Sequence, residues 1–85
     1  MTIKYSSHFR RAYAKLPLEV QRKAEKREAL FRANPFDPRL NTHKLHGKIG
    51  AFHSFSIDFR YRIVFAWKSE SQVIFLDTGD HDVYR

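Results

Sequence analysis

The chain has 85 residues, of which 42% are hydrophobic and 15% aromatic, and its formal net charge is +7. A chain of this length has little room for a second core, so one domain over residues 1–85 is expected. The absence of cysteine excludes disulfides, thiolate metal sites and cysteine nucleophiles. The excess of 16 Lys and Arg over 9 Asp and Glu favours a polyanionic partner, either a nucleic acid or an acidic protein. No signal peptide or membrane-spanning run is visible, so we expect a cytoplasmic protein without a membrane partner.

The first part of the chain predicts one strand and two helices. Residues 2–6 alternate weakly, as a short strand does, and Ser6 or Ser7 is expected to cap the helix that follows. Apolar residues then recur at i, i+3, i+4 and i+7 and form one stripe along that helix: Phe9, Ala12, Tyr13 and Leu16. Pro17 ends this helix and suits the first turn of a second helix over residues 18–33.

Residues 51–67 alternate between apolar odd positions and mostly polar even positions. A period of two predicts strands with one buried face, and the length predicts a hairpin rather than a single strand. We place the turn at residues 58–60, because a three-residue loop pairs Ile57 with Tyr61 and keeps the odd side chains together. The even positions, which include two arginines, then lie near or on the opposite surface.

The remaining segments complete an α+β order. Pro35 and Pro38 break the second helix, and we expect a loop over residues 39–48. The continuous apolar run of residues 73–76 predicts a central strand covered on both faces, which ends at residues 77–79. The order is βααβββ, with two N-terminal helices packed on a small, mainly antiparallel twisted sheet.

Two arginines and a histidine carry the chemistry that we favour. Arg60 and Arg62 share a face if both lie in a strand, and guanidinium groups match phosphate oxygens and stabilise charge on a phosphoryl group. The alternative for both is a salt bridge to a helix or to Asp58. His81 follows the exit of a central strand. Its two neighbouring aspartates favour a protonated imidazole, which could donate a proton to a leaving group. The alternative is an ordinary surface histidine.

Further candidates lie at the C-terminus and in the segment before the hairpin. Tyr84 could stack on a base or pack on the sheet, and Arg85 follows it. Two histidines and two lysines offer phosphate contacts, or proton transfer by either histidine: His43, Lys44, His46 and Lys48. No third ligand accompanies the histidines, so we expect neither a metal nor another cofactor.

These residues suit RNA cleavage by the substrate's own 2′-hydroxyl. That reaction needs a base, an acid and cations around the phosphate, with the splayed nucleotide held by stacking. The sequence shows no paired carboxylates, serine triad or glycine-rich phosphate loop that would favour another chemistry.

Over nearly its whole length the sequence resembles the RelE/ParE-superfamily toxins of type II toxin–antitoxin systems. No motif is specific alone, and the resemblance is carried by the order and spacing of several: Phe9 with Ala14-Lys15-Leu16-Pro17, Asn34-Pro35, Lys44-Leu45-His46-Gly47, Tyr61-Arg62-Ile63-Val64-Phe65 and residues 78–85. It implies a RelE-like, microbial RNase-like fold and a cognate antitoxin that wraps the toxin and blocks its basic face. It also implies a metal-independent mRNA endoribonuclease acting in the ribosomal A site and inhibiting translation, with operator DNA bound only through the antitoxin complex.

The resemblance also suggests roles for single residues. The strand arginine of the RelE branch falls on Arg62, while two histidines of YafQ-type ribonucleases fall on His81 and His43. The C-terminal aromatic residue of those ribonucleases falls near Tyr84. In this interpretation His81 is the acid or base, Arg62 steadies the phosphate and Tyr84 stacks or orients, with assistance from Arg60, His43, Lys44 and His46.

Two departures keep other functions open. The second-strand histidine of the YafQ branch falls on Ser56, and its acidic hairpin residue falls on Arg60. The division of acid and base in that branch therefore does not transfer to this chain. The alternatives are a ParE-like, non-enzymatic DNA gyrase poison and a catalytically degenerate toxin that retains antitoxin binding.

Overall fold

The computed structural model describes residues 1–46 and 52–80. Their elements, in chain order, are β1 (Thr2–Tyr5), α1 (Ser7–Ala14), α2 (Leu18–Ala33), β2 (His43–Lys44), β3 (Phe52–Ser56), β4 (Tyr61–Ser69) and β5 (Gln72–Asp80). A short 3-10 helix, Pro38–Leu40, lies between α2 and β2. Within these residues, no helix has the length and apolar character that crossing a membrane requires.

The strands form one sheet in the order β1-β5-β4-β3-β2. β1 runs parallel to β5, and the other neighbouring strands are antiparallel. Side chains from both helices join one apolar cluster with side chains from one face of the sheet. The predicted α+β fold, with two N-terminal helices on a mainly antiparallel sheet, is confirmed.

The predicted cap of α1 is confirmed, whereas Pro17 lies just before α2 rather than in its first turn. Ser6 Oγ accepts a hydrogen bond from the Phe9 N–H at 2.9 Å and caps α1. Pro17, with a φ of −53°, directly precedes α2. Within α2, Glu28 and Arg32 lie one turn apart and form an ion pair at 3.2 Å.

The core is built on aromatic rings between the helices and the sheet. Phe31 of α2 is fully buried, and its ring centroid lies 4.8 Å from that of Phe55 and 4.9 Å from that of Phe65. Phe9 of α1 contacts Phe75 edge-on, with the ring centroids 5.4 Å apart. Large rings fill this volume with few side chains, which suits a sheet built from so short a chain.

The β3–β4 hairpin has the predicted three-residue turn. The Ile57 N–H donates to the Tyr61 carbonyl at 2.8 Å, and Asp58 Oδ1 accepts the backbone N–H groups of Arg60 and Tyr61, each at 2.8 Å. Phe59 belongs to the odd set, but it lies in the turn and is 94% exposed. The odd positions that flank the turn are buried as predicted: Phe55, Ile57, Ile63 and Phe65.

The segment predicted as a loop contains β2, so that prediction was wrong. His43 pairs with Ser54 and Lys44 pairs with His53, both antiparallel. Two residues are too few to produce a period-two signal, because alternation needs several positions to become visible. Pairing with β3, rather than the local sequence, makes this strand.

β5 also runs past its predicted end at residues 77–79 and is described as far as Asp80. Thr78 is buried, and its hydroxyl donates to the Arg62 carbonyl at 2.8 Å. This hydrogen bond satisfies a buried polar group, so a polar residue can remain inside the sheet.

A bulge changes the alternation along β5. Val64 pairs with Asp77 and Phe65 with Phe75, which leaves Leu76 as an extra residue on β5. The side chains between the buried positions are only half-buried. The prediction that both faces of this strand are buried is therefore wrong. The side chains buried on the helix side are Val73, Phe75 and, past the bulge, Thr78.

Candidate functional site

The sheet face that turns away from the helices carries two of the predicted site residues. His43 pairs with Ser54, and Ser56 pairs with Arg62 one row further along β3. Directly paired residues of antiparallel strands share a face, and so do residues i and i+2 of one strand. We call the side of the sheet that carries these four side chains, His43, Ser54, Ser56 and Arg62, the outer face, although Ser54 itself is fully buried.

The ring of His43 is contacted at both nitrogens. Its Nδ1 lies 3.0 Å from the Asn41 carbonyl oxygen, and its Nε2 lies 3.4 Å from Ser54 Oγ. Because a carbonyl oxygen only accepts hydrogen bonds, Nδ1 must carry a proton, and Nε2 of the neutral ring is left as an acceptor. Asn41 adopts a left-handed backbone, with φ at 52°, directly after the 3-10 helix. In the neutral ring, the contact with the Asn41 carbonyl selects the tautomer that a proton acceptor at Nε2 requires.

Arg62 lies on the second strand of the hairpin, in the interior of the sheet. Its partner on β3 is Ser56 and its partner on β5 is Gly79. Both neighbouring strands fix its backbone, and the residue is half-buried. A guanidinium mounted on such a strand is a well-positioned cation for a phosphate group.

His43 and Arg62 lie close enough on the outer face to contact one ligand. Arg62 lies two strands away from His43, at about 4.8 Å per strand, and two residues further along the strand direction, at about 3.4 Å per residue. Their Cα atoms are therefore roughly 12 Å apart. A phosphodiester with its flanking ribose fits between two side chains at this separation. The outer face can therefore combine one proton acceptor with one phosphate-binding cation.

Arg60 lies away from this face, in the hairpin turn. Its guanidinium lies 5.6 Å from the centroid of the Tyr61 ring. A shared face for Arg60 and Arg62 was predicted only if both lay in a strand, and Arg60 lies before β4, which begins at Tyr61. The carboxylate of Asp58, which was the alternative partner for the arginines, forms its ion pair with Lys23 at 3.3 Å.

Lys44 lies on the side of the sheet opposite to His43, because neighbouring residues of a strand alternate. It pairs with His53, whose ring lies 5.6 Å from Phe65. Burial, followed by the charges of Lys44 and His43, lowers the pKa of His53 below its ordinary 6.5. His46, past the end of β2, is exposed. The basic segment is thus divided between two sides of the sheet.

Four predicted site residues lie outside the described residues: Lys48, His81, Tyr84 and Arg85. Their roles stay predictions from the sequence. His81 directly follows Asp80, which pairs with Tyr61 at the end of the hairpin.

A contact between a histidine and a carboxylate next to the outer face was missed by sequence reasoning. His8 Nε2 lies 3.0 Å from Asp77 Oδ1. Asp77 pairs with Val64 of β4, and Val64 pairs in turn with Ser54 of β3, so Asp77 and Ser54 lie in the same row of the sheet. His8 and Asp77 come from opposite ends of the chain, so no local spacing indicates the contact. No group of three or more His, Asp or Glu side chains placed to hold a metal occurs in residues 1–46 and 52–80.

Comparison with known proteins identifies the fold. A scan against protein-family models gave no match, and neither did a search of curated proteins. Solved structures do match, and their shared architecture is the fold of the RelE/ParE-superfamily toxins. The present chain has this fold.

Three of the similar structures illustrate the match. A YoeB/ParE toxin from Agrobacterium tumefaciens superposes with a TM-score of 0.77 at 15% identity, over 95% of this chain and 99% of that one. YafQ in the E. coli DinJ–YafQ toxin–antitoxin complex gives 0.74 at 18% identity, over 94% and 91%. The archaeal RelE–RelB complex from Pyrococcus horikoshii OT3 gives 0.70 at 18% identity, over 93% and 92%. The match covers both chains almost completely, so the whole fold is shared.

Proposed function

We propose that this chain is the toxin of a type II toxin–antitoxin system and that it cleaves mRNA on the ribosome in the cytoplasm. The observation that carries the proposal is the outer face, where Arg62 and the Nε2 acceptor of His43 lie on one surface of a RelE/ParE-type fold. A net charge of +7 supports an RNA partner.

The proposed reaction is attack of a ribose 2′-oxygen on the adjacent phosphorus. The P–O5′ bond breaks, and the products are a 2′,3′-cyclic phosphate and a 5′-hydroxyl. One group must take the 2′-hydroxyl proton, which suits His43 Nε2, and another must give a proton to the departing 5′-oxygen, which suits His81. Arg62 would stabilise the charge that develops on the phosphoryl oxygens. No step requires a metal.

The other predicted residues would bind rather than react. Tyr84 would stack on a nucleotide, which is how proteins commonly hold a splayed RNA base. Five basic residues would contact the RNA outside the scissile phosphate: Arg60, Lys44, His46, Lys48 and Arg85.

An antitoxin is the proposed protein partner. Two of the similar structures are complexes, DinJ with YafQ and RelE with RelB, and the first is described as a toxin–antitoxin complex. An acidic antitoxin that covers the basic face would block RNA access, and contact with operator DNA would occur only through that complex.

The proposal is tested by primer extension on mRNA from a translation reaction that contains the purified chain. We expect discrete cuts with the wild type and a roughly 10²- to 10³-fold loss of cleavage in Arg62→Ala, which is the usual cost of removing one donor to a developing oxyanion. Arg22→Ala, an exposed arginine on α2, is the matched control and should cleave normally. If Arg62→Ala cut at the wild-type rate, or lost activity only because it unfolded, the role of Arg62 would be wrong.

One observation favours a second candidate function. Ser56, the partner of Arg62, stands where the YafQ-type branch has a histidine, so the outer face lacks one group of that branch. A ParE-like gyrase poison, or a degenerate toxin that only binds antitoxin, needs no such group. Induction in cells separates the three, because a ribonuclease arrests translation, a gyrase poison triggers DNA-damage signalling and a degenerate toxin does neither.

A further inference from the structure

Beside the outer face, α1 and the second half of β5 enclose a groove of about 250 Å³. Three basic residues line it at positions i, i+3 and i+7, which places them on one side of the helix. The remaining lining is small or apolar. We call this feature the α1 groove, and its residues are His8, Arg11, Ala12, Lys15, Leu16, Thr78 and Gly79.

The groove exists because β1 is shorter than β5. β1 ends at Tyr5, which pairs with Phe75, and the Ser6 hydroxyl then donates to the Leu76 carbonyl at 3.1 Å. Beyond Leu76, this edge of β5 faces α1 instead of another strand. A helix cannot approach a strand edge as closely as a paired strand does, so a channel remains between them.

The charge of the groove is almost entirely positive. α1 contains no acidic residue, and within residues 1–46 and 52–80 neither Arg11 nor Lys15 forms an ion pair. The one carboxylate known to contact a lining residue is that of Asp77, which contacts His8 at 3.0 Å. Unpaired cations in a concave surface attract a polyanion.

The groove and the outer face are connected through Gly79. Gly79 lines the groove and is also the β5 partner of Arg62. Glycine has no side chain, so Gly79 itself places no barrier between the two surfaces. The three basic residues extend over roughly 10 Å of helix, at 1.5 Å per residue.

We propose that the α1 groove binds the phosphate backbone of the single-stranded RNA whose scissile phosphate lies at Arg62. This inference rests on the RNA-binding part of the proposed function and adds a second binding surface to it. Arg11 and Lys15 would each contact a phosphate, and His8 would be oriented by Asp77. Such a cationic groove follows the backbone of a single strand without reading its sequence.

The test is the affinity of the purified chain for a fluorescent single-stranded RNA with 2′-O-methyl riboses, which cannot be cleaved by 2′-oxygen attack. Fluorescence anisotropy is measured over a range of salt concentrations. Each phosphate contact contributes about 0.7 to the slope of log K against log salt for a single strand, so Arg11→Ala/Lys15→Ala should reduce that slope by about 1.4. We expect its affinity at low salt to fall by about an order of magnitude.

The matched control is Arg10→Ala, the neighbouring arginine of the same helix. Its guanidinium lies 5.7 Å from the centroid of the Tyr5 ring, on another side of α1. We expect this variant to keep the wild-type slope and affinity. If Arg10→Ala lost as much per removed charge as the groove variant, about 0.7 in slope, general charge rather than the groove would bind the RNA, and the proposal would be overturned.

A second variant should act in the opposite direction. Asp77→Asn removes the carboxylate beside the groove but keeps an oxygen that can accept the Thr78 N–H, a hydrogen bond of 2.8 Å in the wild type. With less negative charge near the phosphates, RNA binding should tighten a few-fold. Weaker or unchanged binding in this folded variant would contradict the proposed path of the strand.

The outcomes separate this proposal from the proposed function. If the wild type binds RNA through the groove but never cuts mRNA, the groove stands and the ribonuclease assignment fails. If mRNA is cut while the groove variant binds like the wild type, the groove alone is wrong. An undetectable affinity of the wild type, or a groove variant that loses only antitoxin binding, would also overturn the groove as an RNA site.

Discussion

Phe31 and Phe59 show how differently one residue type can contribute to stability. Phe31 has no exposed surface and packs against three aromatic rings, whereas Phe59 is 94% exposed. We expect Phe31→Ala to lower the free energy of unfolding by about 3–5 kcal/mol, because it removes buried surface and leaves a cavity. The same truncation at Phe59 should change it by less than about 0.5 kcal/mol. Urea denaturation of both variants measures the difference, and equal losses would contradict the described core.

His53 should make the stability depend on pH. Its folded-state pKa is lowered, first by burial and then by Lys44 and His43, so the unfolded chain binds the proton more tightly. The stabilising contribution is therefore present above about pH 6.5 and is lost as the pH falls through the folded pKa. We expect the difference in free energy of unfolding between the wild type and His53→Asn to decrease as the pH falls from 7.5 to 5. A difference that stays constant over this range would show that His53 is not buried as described.

The outer face was only partly visible in the sequence at the level of single residues. Arg62 was predicted to lie on the surface opposite the core, because alternation in the hairpin is strong. The position of His43 opposite Ser54 and the contact between His8 and Asp77 depend on strand pairing and on helix placement. These are long-range contacts, and no local pattern records them.

At the scale of elements, the Ser6 hydroxyl both caps α1 and bonds it to the sheet. Ser6 Oγ accepts from the Phe9 N–H and donates to the Leu76 carbonyl. Ser6→Ala should therefore lower the free energy of unfolding by about 1–2 kcal/mol, because it removes both a helix cap and a second hydrogen bond. The matched control is Ser7→Ala, because Ser7 is exposed in the first turn and does not provide the cap. Thermal or urea unfolding compares the two, and an equally large loss in Ser7→Ala would contradict the assignment of the cap.

Asp58 holds the β3–β4 turn. Partial burial alone would raise the pKa of its carboxyl, but hydrogen bonds from the Tyr61 and Arg60 N–H groups, together with Lys23, lower it. Asp58→Ala should lower the free energy of unfolding by about 1–3 kcal/mol, since two turn N–H groups lose their acceptor. Asp58→Asn keeps an acceptor oxygen and loses only the partly exposed ion pair, so it should cost less than about 1 kcal/mol. If chemical denaturation showed the same loss of unfolding free energy for Asp58→Ala and Asp58→Asn, the charge, and not the hydrogen bonds, would close the turn.

Element predictions succeeded where one pattern covered many residues. The helix over Leu18–Ala33 and the hairpin turn were predicted from long periodic stretches and proline positions. β2 is too short to carry a pattern, and the bulge at Leu76 reverses the alternation in β5. Buried Thr78 looks like part of a turn in the sequence, but its hydroxyl is satisfied within the sheet.

For the whole molecule, composition favours a polyanionic partner. The chain carries a net charge of +7, and two cations of the α1 groove, beside the outer face, form no ion pair within residues 1–46 and 52–80. The sequence predicted the fold class because its patterning and its resemblance agree. The location of the second basic surface could not be predicted, since it depends on the different lengths of β1 and β5.

The proposed reaction is cleavage of mRNA by attack of the 2′-oxygen. The most direct measurement is the chemistry of the RNA ends after the purified wild type acts in a translation reaction. We predict new fragments with a 5′-hydroxyl that polynucleotide kinase labels without prior phosphatase treatment, and a 2′,3′-cyclic phosphate on the upstream fragments. Arg62→Ala should lack these ends. Intact mRNA, or fragments that begin with a 5′-phosphate, would contradict the account.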